Sequence, residues 1–164
     1  MNRRKLQTIV IIPAALFIAV ILLMFARSLT AAKPAGLGVV DGRLAPVPSS
    51  PNCVSTQTDS DQHKAAPIRF SGDAAVAIDC LHSIITAERG VTVTEQQDNY
   101  LHAEFRSRIF RFVDDVELFA NADTGEIHFR SASRTGHSDF GVNRNRMERI
   151  REEFVKRCSE IQDK

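Results

Sequence analysis

Cys53 is the first residue in the chain with the makings of a nucleophile; it stands in Ser50-Pro51-Asn52-Cys53-Val54-Ser55. A cysteine nucleophile needs a base within reach and a lowered pKa. His63 follows ten residues later, and His82 and His137 are further bases that folding could bring near. With His63 as its base, Cys53 would serve a hydrolase or a transferase. The other reading is a structural cysteine, free or paired with Cys80 on an oxidising side of a membrane. Cys158 shares an apolar helical stripe with Phe154 and is expected as a core thiol.

Metal chemistry finds little support. The five histidines do not fall at the i,i+3 or i,i+4 spacing of helical ligands, and no cysteine pair is spaced as in a zinc finger. Asp59-Ser60-Asp61-Gln62-His63 looks like the start of a calcium loop but lacks its glycine and closing Glu. Neither a metal nor a cofactor is expected. Asp114 and Asp115 are neighbours on a predicted strand, so their carboxylates point to opposite faces and cannot act on one bond. Asp114 shares parity with Phe112, Val116 and Leu118, which predicts a buried carboxylate with an arginine partner.

The richest constellation is basic. Arg106 and Arg108 alternate on the outer face of one strand, Arg130 and Arg134 on that of another, and Arg144 and Arg146 open the last helix. Glu104, Asp115 and Glu117 project from the same sheet face, so cross-strand ion pairs are the first expectation for this charge. The second is an anion site where a strand end, a polar loop and a helix N-terminus meet. Arg130, Ser131, Ser133 and Arg134 end the strand, and Ser138, Asp139, Asn143 and Arg144 lie just beyond it. Only about eight residues link the two elements. Their donors would converge on an anionic small molecule or a lipid head group, with Asp139 capping the helix or orienting an arginine.

These residues need a frame. Asp73 offers the cap of a helix whose apolar positions Ala74, Ala77, Ile78, Leu81 and Ile85 recur at helical spacing, and Gly90 stops it. Strand-like runs follow at 91–95, 100–109, 112–119 and 126–134, the last two joined by a turn ending in Gly125. A polar loop, 135–142, leads to a last helix with the stripe Met147, Ile150, Phe154, Cys158 and Ile161. The pattern predicts an α+β domain over residues 51–164, an antiparallel sheet of about four strands flanked by two helices on one face.

Upstream, residues 9–26 carry no charge. At about 1.5 Å per residue they cover roughly 27 Å, close to the ~30 Å of a hydrocarbon core. Residues 9–27 therefore predict a single transmembrane helix. Arg3-Arg4-Lys5 should hold residues 1–8 in the cytoplasm, leaving the C-terminal domain periplasmic or extracellular. The alternative is a cleaved signal peptide, whose apolar region is normally shorter; Thr30-Ala31-Ala32 is the nearest thing to a cut site. Residues 28–50, with Pro34, Gly36, Gly38, Gly42, Pro46 and Pro48, read as an extended linker.

Of 164 residues, 43% are apolar and 25% charged, which excludes a disordered chain. The region before Pro51 is basic (Arg3, Arg4, Lys5, Arg27, Lys33 and Arg43 against Asp41 alone), so within a total of +1 the remainder is mildly acidic. That balance excludes nucleic acid as a partner, because phosphate backbones need a net basic face. The expected function is binding by a membrane-anchored domain, the ligand being an anion or an envelope protein.

Three strings, taken together, resemble a known family. They are Leu44-Ala45-Pro46 through Cys53-Val54-Ser55-Thr56-Gln57, then 103–117 around Phe105-Arg106-Ser107-Arg108-Ile109-Phe110-Arg111-Phe112, then 130–144 around Gly136-His137-Ser138-Asp139-Phe140-Gly141. In this order they resemble the domain of unknown function 1499 family, from about Gly36 to the last helix. The resemblance implies a bacterial family with plastid relatives, often membrane-anchored or exported, and without an established activity. Relatives often carry a cysteine where this chain has Val47. A local pair with Cys53, by disulfide or metal, is therefore impossible here, which weakens any redox role.

Overall fold

The computed structural model describes residues 3–158. Ile161, placed above on the last apolar stripe, lies outside the described residues. The elements run α1 (Arg3–Leu29), β1 (Cys53–Ser55), β2 (Ile68–Arg69), α2 (Ala74–Thr86), β3 (Val91–Gln97), β4 (Tyr100–Arg106), β5 (Val113–Asn121), β6 (Glu126–Ser133) and α3 (Val142–Arg157). The four longer strands form an antiparallel meander, and β1 and β2 share the outer edge of β6. The α+β class with an antiparallel sheet stands, at six strands rather than about four. Three- and two-residue strands carry no periodic signal, and only β6 gives them a ladder to join.

Strand alternation sorts the side chains into two faces. Leu101, Ala103 and Phe105 of β4, Val116 and Leu118 of β5, and Ile127 and Phe129 of β6 meet α2 and α3. Ala77, Ile78, Leu81 and Ile85 answer from α2, and Met147, Ile150 and Phe154 from α3. Each large side chain buried in this way contributes about 1.5–3 kcal/mol. Asp73 caps α2 as expected, its Oδ1 accepting from the Ala75 amide at 2.7 Å.

Cys80 of α2 and Cys158, just beyond α3, form a disulfide across 6.6 Å between Cα atoms. This corrects two expectations. Cys158 is buried but not a thiol, and Cys53, which is free, does not pair with Cys80. The packing of α2 beside α3 decides it, since β1 holds Cys53 on the far edge of the sheet.

The second sheet face is covered rather than open. Residues 38–46 lie across it: the Gly38 amide donates to Glu117 Oε1 at 2.8 Å, and Arg130 Nε donates to the Pro46 carbonyl at 3.2 Å. Leu44 is buried against Tyr100 and Phe119. The proline-rich stretch is extended, but part of it is a lid on the sheet.

Within α1, Ile11–Leu29 is long and apolar enough to cross a membrane. Leu16 and Phe17 are each 66% exposed, so these side chains are no part of the domain core. The last turns do meet the domain: Met24 and Arg27 line a cavity of about 420 Å³ together with Phe112, Gly136 and His137.

Candidate functional site

The eight residues expected to converge on an anion do not meet at one spot. Arg130 and Arg134 face the covered side of β6, whereas Ser131 and Ser133 face α3. The sheet itself separates the two pairs, because successive residues of a strand point to opposite faces. Each group also has an internal partner. Asn143, buried at 1% exposure, accepts from the Ser131 hydroxyl at 2.5 Å and donates to Ser133 Oγ and the Asn52 carbonyl, both at 3.0 Å. Asp139 takes the amides of Gly141 and Asn143 at 3.1 and 2.8 Å and so caps α3, and Ser138 accepts from the Phe140 amide. Arg144 is spent on the carbonyls of Lys64 and Gln62. These side chains stitch β1, β6 and α3 together.

On the covered face the expected ion pairs form, but buried. Arg134 forks onto Asp115, Nε to Oδ2 at 2.8 Å and Nη2 to Oδ1 at 2.7 Å, and also reaches Glu104. His102 Nε2 lies 2.8 Å from Asp115 Oδ1, and its Nδ1 bonds Thr94 Oγ1. Burial alone would raise the Asp115 carboxyl, yet the hydrogen bonds from Arg134 and His102 outweigh it and hold it near 2. Glu117, fully buried, is met by Tyr100, Arg130 and the Gly38 amide. Every charge here is compensated, as buried charges require.

Cys53 lacks the environment of a nucleophile. It is 5% exposed, and burial pushes its thiol up to about 11, the Arg130 guanidinium lowering it by less. His63 is committed elsewhere, Nδ1 to Ser60 Oγ and Nε2 to the Ser50 carbonyl, each at 3.0 Å. The thiol should therefore resist alkylation in the folded protein at neutral pH and react fully once the chain is unfolded. Rapid labelling of native Cys53 would restore it as a candidate nucleophile.

A second group of cations gathers at one end of the sheet. A cleft of about 600 Å³ opens at the end of the sheet, between the α2–β3 turn, the β4–β5 turn and α3. Arg89, Arg106, Arg108, Arg111, Arg146 and Arg149 line it, with Glu88 and Asp114 as its acids. Both acids are engaged: Asp114 accepts from Arg146 at 2.6 Å, and Glu88 pairs with Arg149 at 3.2 Å. Arg106 leans on Glu104. Arg89, Arg108 and Arg111 have no acidic partner among the described residues, and all three are exposed.

Local sequence explains how the cleft closes. Gly90 has φ +76, and a Cβ there would stand 2.6 Å from the Arg106 carbonyl oxygen. Only glycine lets the α2–β3 turn approach β4 so closely, and the bond from the Arg106 amide to the Gly90 carbonyl, 2.8 Å, holds it there. Arg146 forms the floor. Its guanidinium sits 4.5 Å over the Phe105 ring and also donates to Asn143 and Ser131. It is a fixed positive charge rather than a mobile one.

The family model described as "Protein of unknown function (DUF1499)" matches residues 43–154. The chain belongs to this family. The DUF1499 region begins inside the proline-rich stretch, takes in the whole cleft, and leaves out α1 and Cys158. No curated protein and no solved structure matches the chain.

Of the cleft's arginines, the sequence pointed to Arg106, Arg108 and Arg146, the last assigned to a helix start. Arg89, Arg111 and Arg149 were missed. A signal existed for Arg89. A hairpin turning at Asp98-Asn99 pairs Gln97 with Tyr100, and counting back brings the residues around Gly90 opposite Arg106. The bulge between Val93 and Glu95 shifts that count by one.

Proposed function

We propose that this protein is a single-pass, membrane-anchored member of the DUF1499 family whose extracytoplasmic domain binds an anionic ligand in the arginine-lined cleft. The observation that carries the reading is that the guanidinium groups of Arg89, Arg108 and Arg111 stand around one concavity with no acidic partner among the described residues. A cleft of one sign focuses its field on an incoming anion, and guanidinium matches phosphate or carboxylate by paired hydrogen bonds. Topology is supported by α1, by the basic residues before it and by the Cys80–Cys158 disulfide, a bond that persists in oxidising compartments.

Calorimetric titration of the full chain in detergent micelles tests the reading, with inorganic phosphate and glycerol phosphate as probes. Both should bind, and Arg108→Ala and Arg111→Ala should each weaken binding roughly tenfold, since a charge-assisted bond is worth about 1.5–3 kcal/mol. Arg43→Ala, away from the cleft, should change nothing. Absence of binding, or equal binding by all variants, overturns the site. Failure with phosphates alongside capture of an acidic peptide would move the ligand to an envelope protein.

A further inference from the structure

The two ends of the sheet differ in a way the cleft does not explain. At one end, the β5–β6 turn carries Asn121, Asp123, Thr124 and Glu126, an acidic and polar tip. At the other, the β4–β5 turn reads Ser107-Arg108-Ile109-Phe110-Arg111-Phe112. Ile109 is 76% exposed there, and Phe140, two residues before Val142, which lines the cleft with Arg108 and Arg111, is 94% exposed. Phe110 stacks on Phe112 with ring centroids 5.5 Å apart, so the turn has a firm apolar base. Arg108 and Arg111 flank the apolar pair. Phe140 and Arg111 also hold positive φ, 55° and 60°, a backbone that bulky residues rarely adopt. The chain therefore presents this aromatic outward instead of folding it away.

The position of this end relative to α1 supplies the occupant. Phe112, the last residue of the turn, lines the same cavity as Met24 and Arg27, at the C-terminal end of the apolar helix. If α1 crosses a bilayer, that end lies at the boundary between acyl chains and head groups, and the turn lies at the same height. We propose that the β4–β5 turn and Phe140 insert into the interfacial layer of the bilayer that α1 crosses. Ile109 and Phe140 bury apolar surface among the acyl chains, while Arg108 and Arg111 reach up to lipid phosphates. One tether and one docked tip then fix the orientation of the domain on its membrane. The inference rests on the anchor reading of α1 but not on any ligand in the cleft.

The sequence holds no Trp, so a single introduced Trp reports on its own site. The full chain would be reconstituted into phosphatidylcholine–phosphatidylglycerol vesicles with or without bromine on the acyl chains. The Ile109→Trp and Phe140→Trp variants should be quenched several-fold more strongly by the brominated lipid than Ala122→Trp, at the opposite end. They should also resist aqueous acrylamide, to which Ala122→Trp stays open. Both positions are exposed, so the larger ring needs no repacking. Carbonate extraction of the same vesicles separates the two ideas. A chain that stays in the membrane while all three variants quench alike would keep the anchor and overturn the docked tip. A chain released by carbonate would overturn the anchor, and docking with it.

Discussion

Arg134→Ala should destabilise the domain by about 3–5 kcal/mol, the usual cost of removing one partner of a buried ion pair. The side chain of Arg134 is only 6% exposed, and that of Asp115 only 1%. Truncation leaves Asp115 with His102 alone and Glu104 with Arg106 alone. Urea titration measures the loss directly. Acid adds a second readout. Because the Asp115 carboxyl is held near 2 in the folded protein, its contribution to stability is complete above the ordinary value of about 4. It fades as pH falls from there towards 2. Without Arg134 the folded value rises, so the variant should begin to unfold in acid at higher pH than the parent. A variant that melts like the parent but no longer binds phosphate would make Arg134 a ligand residue, as the sequence alone suggested.

Reduction of the disulfide should have an effect of similar size. It closes a separation of 78 residues, and for a loop of that length chain entropy predicts about 4.5 kcal/mol. Urea midpoints with and without reductant should differ accordingly, and the double variant Cys80→Ser, Cys158→Ser should match the reduced parent. Cys53→Ser, made separately, should show the same difference as the parent. A peptide map joining Cys53 to Cys80 would overturn the pairing.

Much of the frame was readable because it obeys simple periods. The 3.6-residue stripe located α2 and α3, and alternation located β3 to β6 and sorted the faces of β4 to β6. However, β4 ends at Arg106 rather than 109, so Arg108 lies in the turn and not on the strand face, and a bulge in β3 interrupts its period. Burial of Asp114 and an arginine partner followed from parity alone, and the partner is Arg146. The site was harder. Nearness along the chain suggested that residues 130–134 and 138–144 would pool their donors, whereas alternation within β6 sends them to opposite sides of a sheet. Composition likewise identified an extended stretch at 28–50 but could not say that Leu44 and Gly38 close over Tyr100 and Glu117. Such contacts depend on where a distant surface lies, which no local pattern encodes. The cleft arginines come from four separate segments and share a location only after folding.

Glu117 fixes the register of β5. If β5 slipped by one residue against its neighbours, its two faces would exchange. In either direction Glu117 would enter the apolar layer under the helices, and Arg130 would be left against Val116 or Leu118. Glu117 and Arg130 would each be buried without a mate, so the slipped alignment should be far too costly to persist. This one carboxylate thus acts as a key with one orientation. It excludes the shifted strand pairings that a β-branched, aromatic-rich sheet could otherwise sample while it folds.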